Sequence, residues 1–454
     1  MLSTNKVPLF MLDRPLGVAD MRRYDKELRA LQGNVLKSHG REATASVILS
    51  FKPGKVKAAR TFIRNFAARV TSARVQYDQT QAFKASSSHH SEIFRVFYLT
   101  ALGYRYLGCD TEGHSRPFVE GMRAARKRLG DPPVATWDAT FRKPIHAMVT
   151  VAHNYQSELL RELAEVCKEV EKFAAVSVER GLTMRSSSGG SIDHFGFLDG
   201  VSQPLFFEKD VRDEGLPEHW ESGAGPNLVL VRDPLGTSDI DCGTYVVFRK
   251  LEQRVKRFKQ KERALARRLR LPADHSELAG ALMIGRFRDG TPVVLADREK
   301  GHRQNDFSYA LDRRGDRCPL FAHVRKMNPR GESVASFARE LSHRIARRGI
   351  TYGDPTPPGD DESSWPEGGV GILFQCCQAD LANQFEFIQK RWATDPDAPR
   401  RGGSPDLLAG RRTRASVPAA WDHSERIPFT FEEFVRMLGG EYFFAPSINV
   451  LKRI

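Results

Sequence analysis

The first half of the chain alternates short apolar runs with stretches in which apolar residues recur every three or four positions. A short apolar run bounded by polar residues predicts a buried strand, and the three-to-four spacing predicts a helix with one apolar face. By these rules residues 45–51 form a strand, and residues 55–70 a helix with Val56, Ala59, Phe62, Ile63, Phe66 and Val70 on one side. Residues 93–99 form a second strand that runs into a short helix over 100–107, stopped by Gly108. Residues 146–152 give a third strand. Residues 156–173 give a helix carrying Leu159, Leu160, Leu163, Val166, Val170 and Phe173, and residues 175–179 a fourth strand. Two successive β-α-β units of this kind make a ferredoxin-like fold. The second half repeats the pattern less regularly: strands at 243–250, 282–287 and 369–377, and helices at 253–269 and 380–392.

The fold class expected is therefore α+β, two ferredoxin-like halves with antiparallel sheets. Residues 1–30 read as an arm draped over the body or left loose, 31–205 as the first half, 206–241 as a connection and 242–454 as the second half. Residues 181–190, 354–368 and 394–420 lack periodicity and are rich in Gly, Pro, Ser or charge, so they read as loops.

Composition narrows the class. Charged residues make up 28% and hydrophobic ones 40% of the 454 positions, which suits a globular protein with a substantial core. No stretch approaches the roughly 18 apolar residues of a membrane span. The N-terminus carries no long apolar segment of the signal-peptide kind. The six cysteines show no C-x-x-C pair, which points away from a disulfide framework or structural zinc and towards a reducing cytosol. The net charge of +14 attracts anions. Its one concentration, residues 254–270, reads as a solvated helix face, and no nucleic-acid motif accompanies it.

Three segments carry candidate chemistry. In residues 318–330, His323 lies between an apolar run and the cations Arg325, Lys326 and Arg330. None of the 13 histidines forms a zinc-spaced pair. A lone imidazole is what a haem iron takes from a peroxidase, and nearby cations suit the haem propionates. In residues 196–200, two glycines bracket Asp199 beside Phe197 and Leu198. Apolar neighbours would raise that carboxyl's pKa and make it a proton shuttle, whereas an ordinary Asp-Gly turn explains the same pattern. In residues 347–350, Arg347 and Arg348 precede Gly349. The pair reads either as a charge stabiliser over a reacting oxygen or as the cationic end of a helix.

Together these segments resemble the dye-decolourising peroxidase family. Residues 196–200 match its G-x-x-D-G signature, residues 323–330 resemble its proximal-ligand segment, and residues 347–350 its distal arginine segment. Residues 31–37 and 243–253 are also similar to that family, and the likeness runs from about residue 30 to 450. The resemblance implies haem b, bound mainly by the C-terminal half, with His323 as axial iron ligand, Asp199 as acid-base residue and Arg347 as distal cation. It implies Ile372 and Phe374 as apolar distal residues, Phe197, Leu198 and Gly200 beside the cofactor, and Arg325 at the propionates. Asp406 is the expected carboxylate partner of His323, with Asp380 second. The implied activity is reduction of hydrogen peroxide through a ferryl haem, with one-electron oxidation of dyes or phenols. Trp392 is the candidate surface relay for electrons from bulky donors. The main alternative is a haem-binding or iron-handling protein with little turnover; a basic nucleic-acid-associated protein is the other, and no nucleic-acid partner is expected.

Overall fold

The pairing of strands follows from where the apolar runs fall. The computed structural model describes residues 7–86, 92–213, 223–301, 304–332, 336–410 and 413–454. Parts of the expected arm (1–6), connection (214–222) and third loop (411–412) lie outside them. In the first half, β1 (Ala43–Phe51), β2 (Phe94–Leu99), β3 (Ala147–His153) and β4 (Ala174–Leu182) lie in the order β4-β1-β3-β2, all antiparallel. Helices α1 (Val56–Ala67) and α3 (Gln156–Val170) follow β1 and β3. Between α1 and β2 lies α2 (Ala73–Ala85), which the apolar pattern does not predict because it buries little beyond Ala73 and Gln76.

The second half repeats the order. Strands β5 (Cys242–Gln253), β6 (Ile350–Tyr352), β7 (Gly371–Gln378) and β8 (Val435–Ala445) lie as β8-β5-β7-β6, again antiparallel. Numbered by sequence within each half, both sheets read 4-1-3-2. The halves join where Phe444 of β8 pairs with Leu99 of β2, making one ten-stranded sheet among the described residues. The far ends of this sheet also meet. Thr351 of β6 donates to the carbonyl of Leu182 in β4 and accepts from the Met184 amide at 3.2 Å. Gly181 allows that approach, because a Cβ there would strike Ile350. The sheet thus curls into a barrel.

Two expected elements differ. Residues 282–287 are not a strand. Residues Glu277–Ile284 form helix α5, ended by left-handed Gly285, and Leu278 to Ile284 are all buried. A segment apolar on every side carries no period to separate helix from strand. The helix expected over 380–392 is only a turn at Phe385–Phe387, opening into a wider π-helical turn at Ile388–Ala393. Residues 7–30 are not loose: they form short helices that bury Leu9, Leu12 and Leu16, and Leu16 bonds to Phe206 and Glu208. The larger apolar cluster fills the barrel and its covering helices. The second gathers Phe195, Phe197, α4 (Val255–Arg268), α5 and the Phe321–Ala322 approach to the short helix α6 (His323–Met327). No helix among the described residues is long and apolar enough to cross a membrane.

Candidate active site

Burial of Phe321 and Ala322 delivers the chain to α6 with His323 as its first residue. His323 lines a cavity of about 650 Å³. Its Nδ1 lies 2.9 Å from Oδ2 of Asp406, a fully buried carboxylate. The other oxygen of Asp406 accepts the amides of Leu408 and Ala409 at 2.7 and 2.6 Å. Burial works against this carboxylate, but the imidazole and the two amides outweigh it and hold its pKa below the ordinary aspartate value. Asp380 is elsewhere, accepting the amides of Ala382 and Asn383 in its own turn.

The turn at 193–200 brings Phe197, Leu198 and Asp199 to the same cavity. Asp193 organises it. Its Oδ1 accepts the Phe197 amide at 3.0 Å, its backbone carbonyl accepts the Gly196 amide at 2.9 Å, and its Oδ2 accepts Nε2 of Gln253 at 3.0 Å. Gly196 has φ 93°, a left-handed conformation that side chains other than glycine resist. Desolvation pushes the Asp193 carboxyl up to about 6. Sequence reasoning passed over this residue, although an aspartate three positions before a turn glycine is a backbone-capping signal. Asp199 accepts the Gly200 amide at 2.6 Å and has 35% of its side chain exposed, so it is less enclosed than its apolar neighbours suggest.

Arg347 lies in a two-residue strand, Ala346–Arg347, paired with Cys377 and Cys376 of β7. Its amide donates to Gln203 at 3.1 Å, its Nη2 to the Val201 carbonyl at 3.2 Å, and its Nη1 stands 3.6 Å from Asp199. Ile372 and Phe374, on one face of β7, line the cavity as well.

Two residues expected at the cofactor, Arg325 and Gly200, are not brought there, and Trp392 does not reach the surface its expected relay role needs. Arg325 is fully buried, held by Asp312 at 2.9 Å and Glu332 at 2.6 Å, and stands over the Tyr309 ring. The cations that do line the cavity include Arg286 and Arg344. Gly200 lines a neighbouring cavity instead. Trp392 is 4% exposed, edge-on to His343 and Phe387, so it is no surface group. Lys326, read with Arg325 and Arg330 as a cation suited to the propionates, does not line the cavity either. Its buried ammonium donates to the carbonyls of Asp395, Ala398 and Ser404 at 2.8, 2.6 and 2.9 Å, and desolvation pulls its pKa down to about 8.

Residues 31–187 match the family described as the DyP dimeric alpha+beta barrel domain. The chain is 37% identical to the multifunctional dye peroxidase DyP2 of an Amycolatopsis species, across 94% of this chain and 96% of that one. It is 29% identical to a dye-decolorizing peroxidase of Mycena epipterygia, over 77% and 73% of the two chains. Among solved structures, a DyP-type peroxidase of an Anabaena species superposes with a TM-score of 0.91 at 36% identity, covering 98% of each chain. With the matching barrel and near-complete overlap, the chain belongs to the dye-decolourising peroxidase family and is a peroxidase.

Proposed function

We propose that the large cavity holds a haem b, with His323 as the axial ligand of its iron, and that Asp199 and Arg347 carry the proton and charge steps of peroxide cleavage. One cavity gathers the imidazole, the carboxylate, the guanidinium and the apolar side chains of Phe197, Leu198, Ile372 and Phe374; that coincidence is what supports the assignment. Its volume falls within the range of cofactor sites. Asp406 occupies Nδ1 of His323, which leaves Nε2, with no hydrogen-bond partner among the described residues, for a metal. Arg286 and Arg344 line the cavity where Arg325 does not, so they rather than Arg325 are the cations that would meet the two propionates.

When bound, the iron porphyrin would supply the redox chemistry, the two-electron reduction of peroxide balanced by two one-electron oxidations of donors. Asp199 takes the proton from one peroxide oxygen and delivers it to the other, as a general acid-base. Arg347 stabilises the negative charge that gathers on the departing oxygen, which leaves as water. Dyes and phenols are the donors favoured, anionic ones above all given the net charge of +14. Six cysteines, none in a disulfide, fit a reducing, cytosolic compartment.

An absorption spectrum of the haem-loaded protein before and after one equivalent of peroxide tests this reading. The Soret band should shift on addition and return when a phenol or dye is supplied and oxidised. A Soret band indifferent to peroxide, with no donor oxidised, would favour a haem-carrying role without turnover.

A further inference from the structure

A second cavity, of about 380 Å³, shares with the first Asp199, Pro204 and Arg347. Its charges do not balance. Each carboxylate on its lining has a cation at hand: Lys37 Nζ lies 2.6 Å from Asp210, Arg185 pairs with Glu42, and Arg347 lies 3.6 Å from Asp199. Two further cations on the same lining, Arg41 and Arg348, have no carboxylate oxygen within 4.0 Å among the described residues.

Arg348 is buried and meets backbone carbonyls alone. Its Nε donates to Asn34 at 2.8 Å, its Nη1 to Arg347 at 2.7 Å and its Nη2 to Val35 at 2.7 Å. A guanidinium has five N–H donors, so these bonds leave part of the fork without a protein acceptor. Arg41 is partly buried and bonds to Gln79 Oε1 at 3.2 Å and to the carbonyls of His39 and Glu92, each at 3.3 Å. The two guanidiniums belong to one wall. The Arg41 amide donates to His39 Nδ1 at 3.0 Å, the His39 amide donates to Asn34 Oδ1 at 3.1 Å, and the Asn34 carbonyl accepts from Arg348. Burial pulls both guanidinium pKa values below the ordinary arginine value. His39 falls to about 3, through its burial first and then the field of Arg41 and Arg348.

Charges taken out of water without a counterion are unfavourable. We propose that this second cavity is a binding site for a small monovalent anion, an oxyanion or a halide, held between Arg41 and Arg348 beside the Asp199–Arg347 couple. A planar oxyanion matches the guanidinium fork, which offers parallel N–H bonds to two of its oxygens. The site is built of polypeptide alone and stands whether or not His323 binds iron. An anion there also draws on Arg347 and competes with Asp199 for it.

Crystals of the haem-loaded protein soaked in sodium bromide should show an anomalous peak in this cavity, against Arg41 and Arg348. In solution, nitrate at constant ionic strength should raise the melting temperature along a saturating curve. Arg41→Gln should move the half-saturating concentration up by about tenfold, the effect of losing one charge-assisted hydrogen bond. Bromide found only on the outer surface or beside His323, or a nitrate curve identical in Arg41→Gln and the wild type, overturns the assignment. Arg348→Gln is the more severe variant, and where it does not fold Arg41→Gln decides alone.

Discussion

His323 and Arg325 are two positions apart, and that spacing decides which of them reaches the cavity. On a helix, residues i and i+2 point to nearly opposite sides. His323 faces the cavity, so Arg325 must face the interior, where Asp312 and Glu332 neutralise it. Nearness in sequence to His323 is therefore a poor guide to which cation reaches its cavity. Arg347 is the opposite case, because its backbone is pinned by β7 and by Gln203 whatever its side chain does. Arg347→Leu should keep haem content at the wild-type level and slow the reaction with peroxide by about a hundredfold or more, as loss of one charge-stabilising donor does elsewhere. Stopped-flow spectra give both quantities, and wild-type kinetics would remove Arg347 from its assigned role. The residues legible in the sequence, His323, Asp199, Arg347, Ile372 and Phe374, belong to local motifs or to one strand face. Trp392 was legible as an aromatic but not as a buried one, since its cover comes from His343 and Phe387 in the folded chain.

Helix α6 has five residues, too few to hold its shape unaided. Lys326 supplies the missing restraint. Its ammonium collects three carbonyls from residues 395–404, and the last of these, Ser404, stands two positions before Asp406. The helix that carries the imidazole and the loop that carries its carboxylate partner are thus tied by one side chain. Lys326→Met fills similar space but strands three carbonyl acceptors. Each bond from a charged donor is worth about 1.5–3 kcal/mol, offset by the desolvation that lowers this lysine's pKa, so the net loss should be about 2 kcal/mol. Chemical denaturation measures it, and an unchanged midpoint would show that the clamp holds nothing. Elements of this size escape sequence reading because their stability is tertiary. The long strand β8 escapes for another reason: Gly439 and Gly440 interrupt its alternation at a bulge, where Gly439 lies against the Phe141 ring. Helices α1, α3 and α4 were legible because each carries a continuous apolar face against a sheet or a neighbouring helix.

At the scale of the molecule, the two halves share a 4-1-3-2 strand order, and the last turn of the first half is fastened to the first strand of the second. Gln253 of β5 makes that joint, donating to Asp193 and accepting the His194 amide at 3.2 Å. The joint is sensitive to pH because Asp193 is desolvated. An aspartate whose pKa rises from 3.8 unfolded to about 6 folded binds its proton more tightly in the native state. Between those values its contribution to stability decreases as pH rises, by about 1.4 kcal/mol per unit, and is lost above 6. Buried His39 and His114, with pKa values lowered to about 3 and about 4, tilt stability the other way, and Asp233, raised to about 6, tilts it the same way as Asp193. The wild-type profile mixes these four with other shifted groups such as Asp406 and Glu441, so its slope identifies none of them. A comparison with Asp193→Asn isolates one, because the others cancel in the difference. Asparagine keeps an oxygen for the Phe197 amide and cannot ionise. The wild type should therefore gain about 2–3 kcal/mol over the variant as the pH falls from 6 to 4, and the two should run parallel above pH 7. Urea unfolding at each pH gives that difference directly. A constant offset across the whole range would mean that the joint between the halves does not titrate there, and that the cavity side of Asp193 is better hydrated than its surroundings imply.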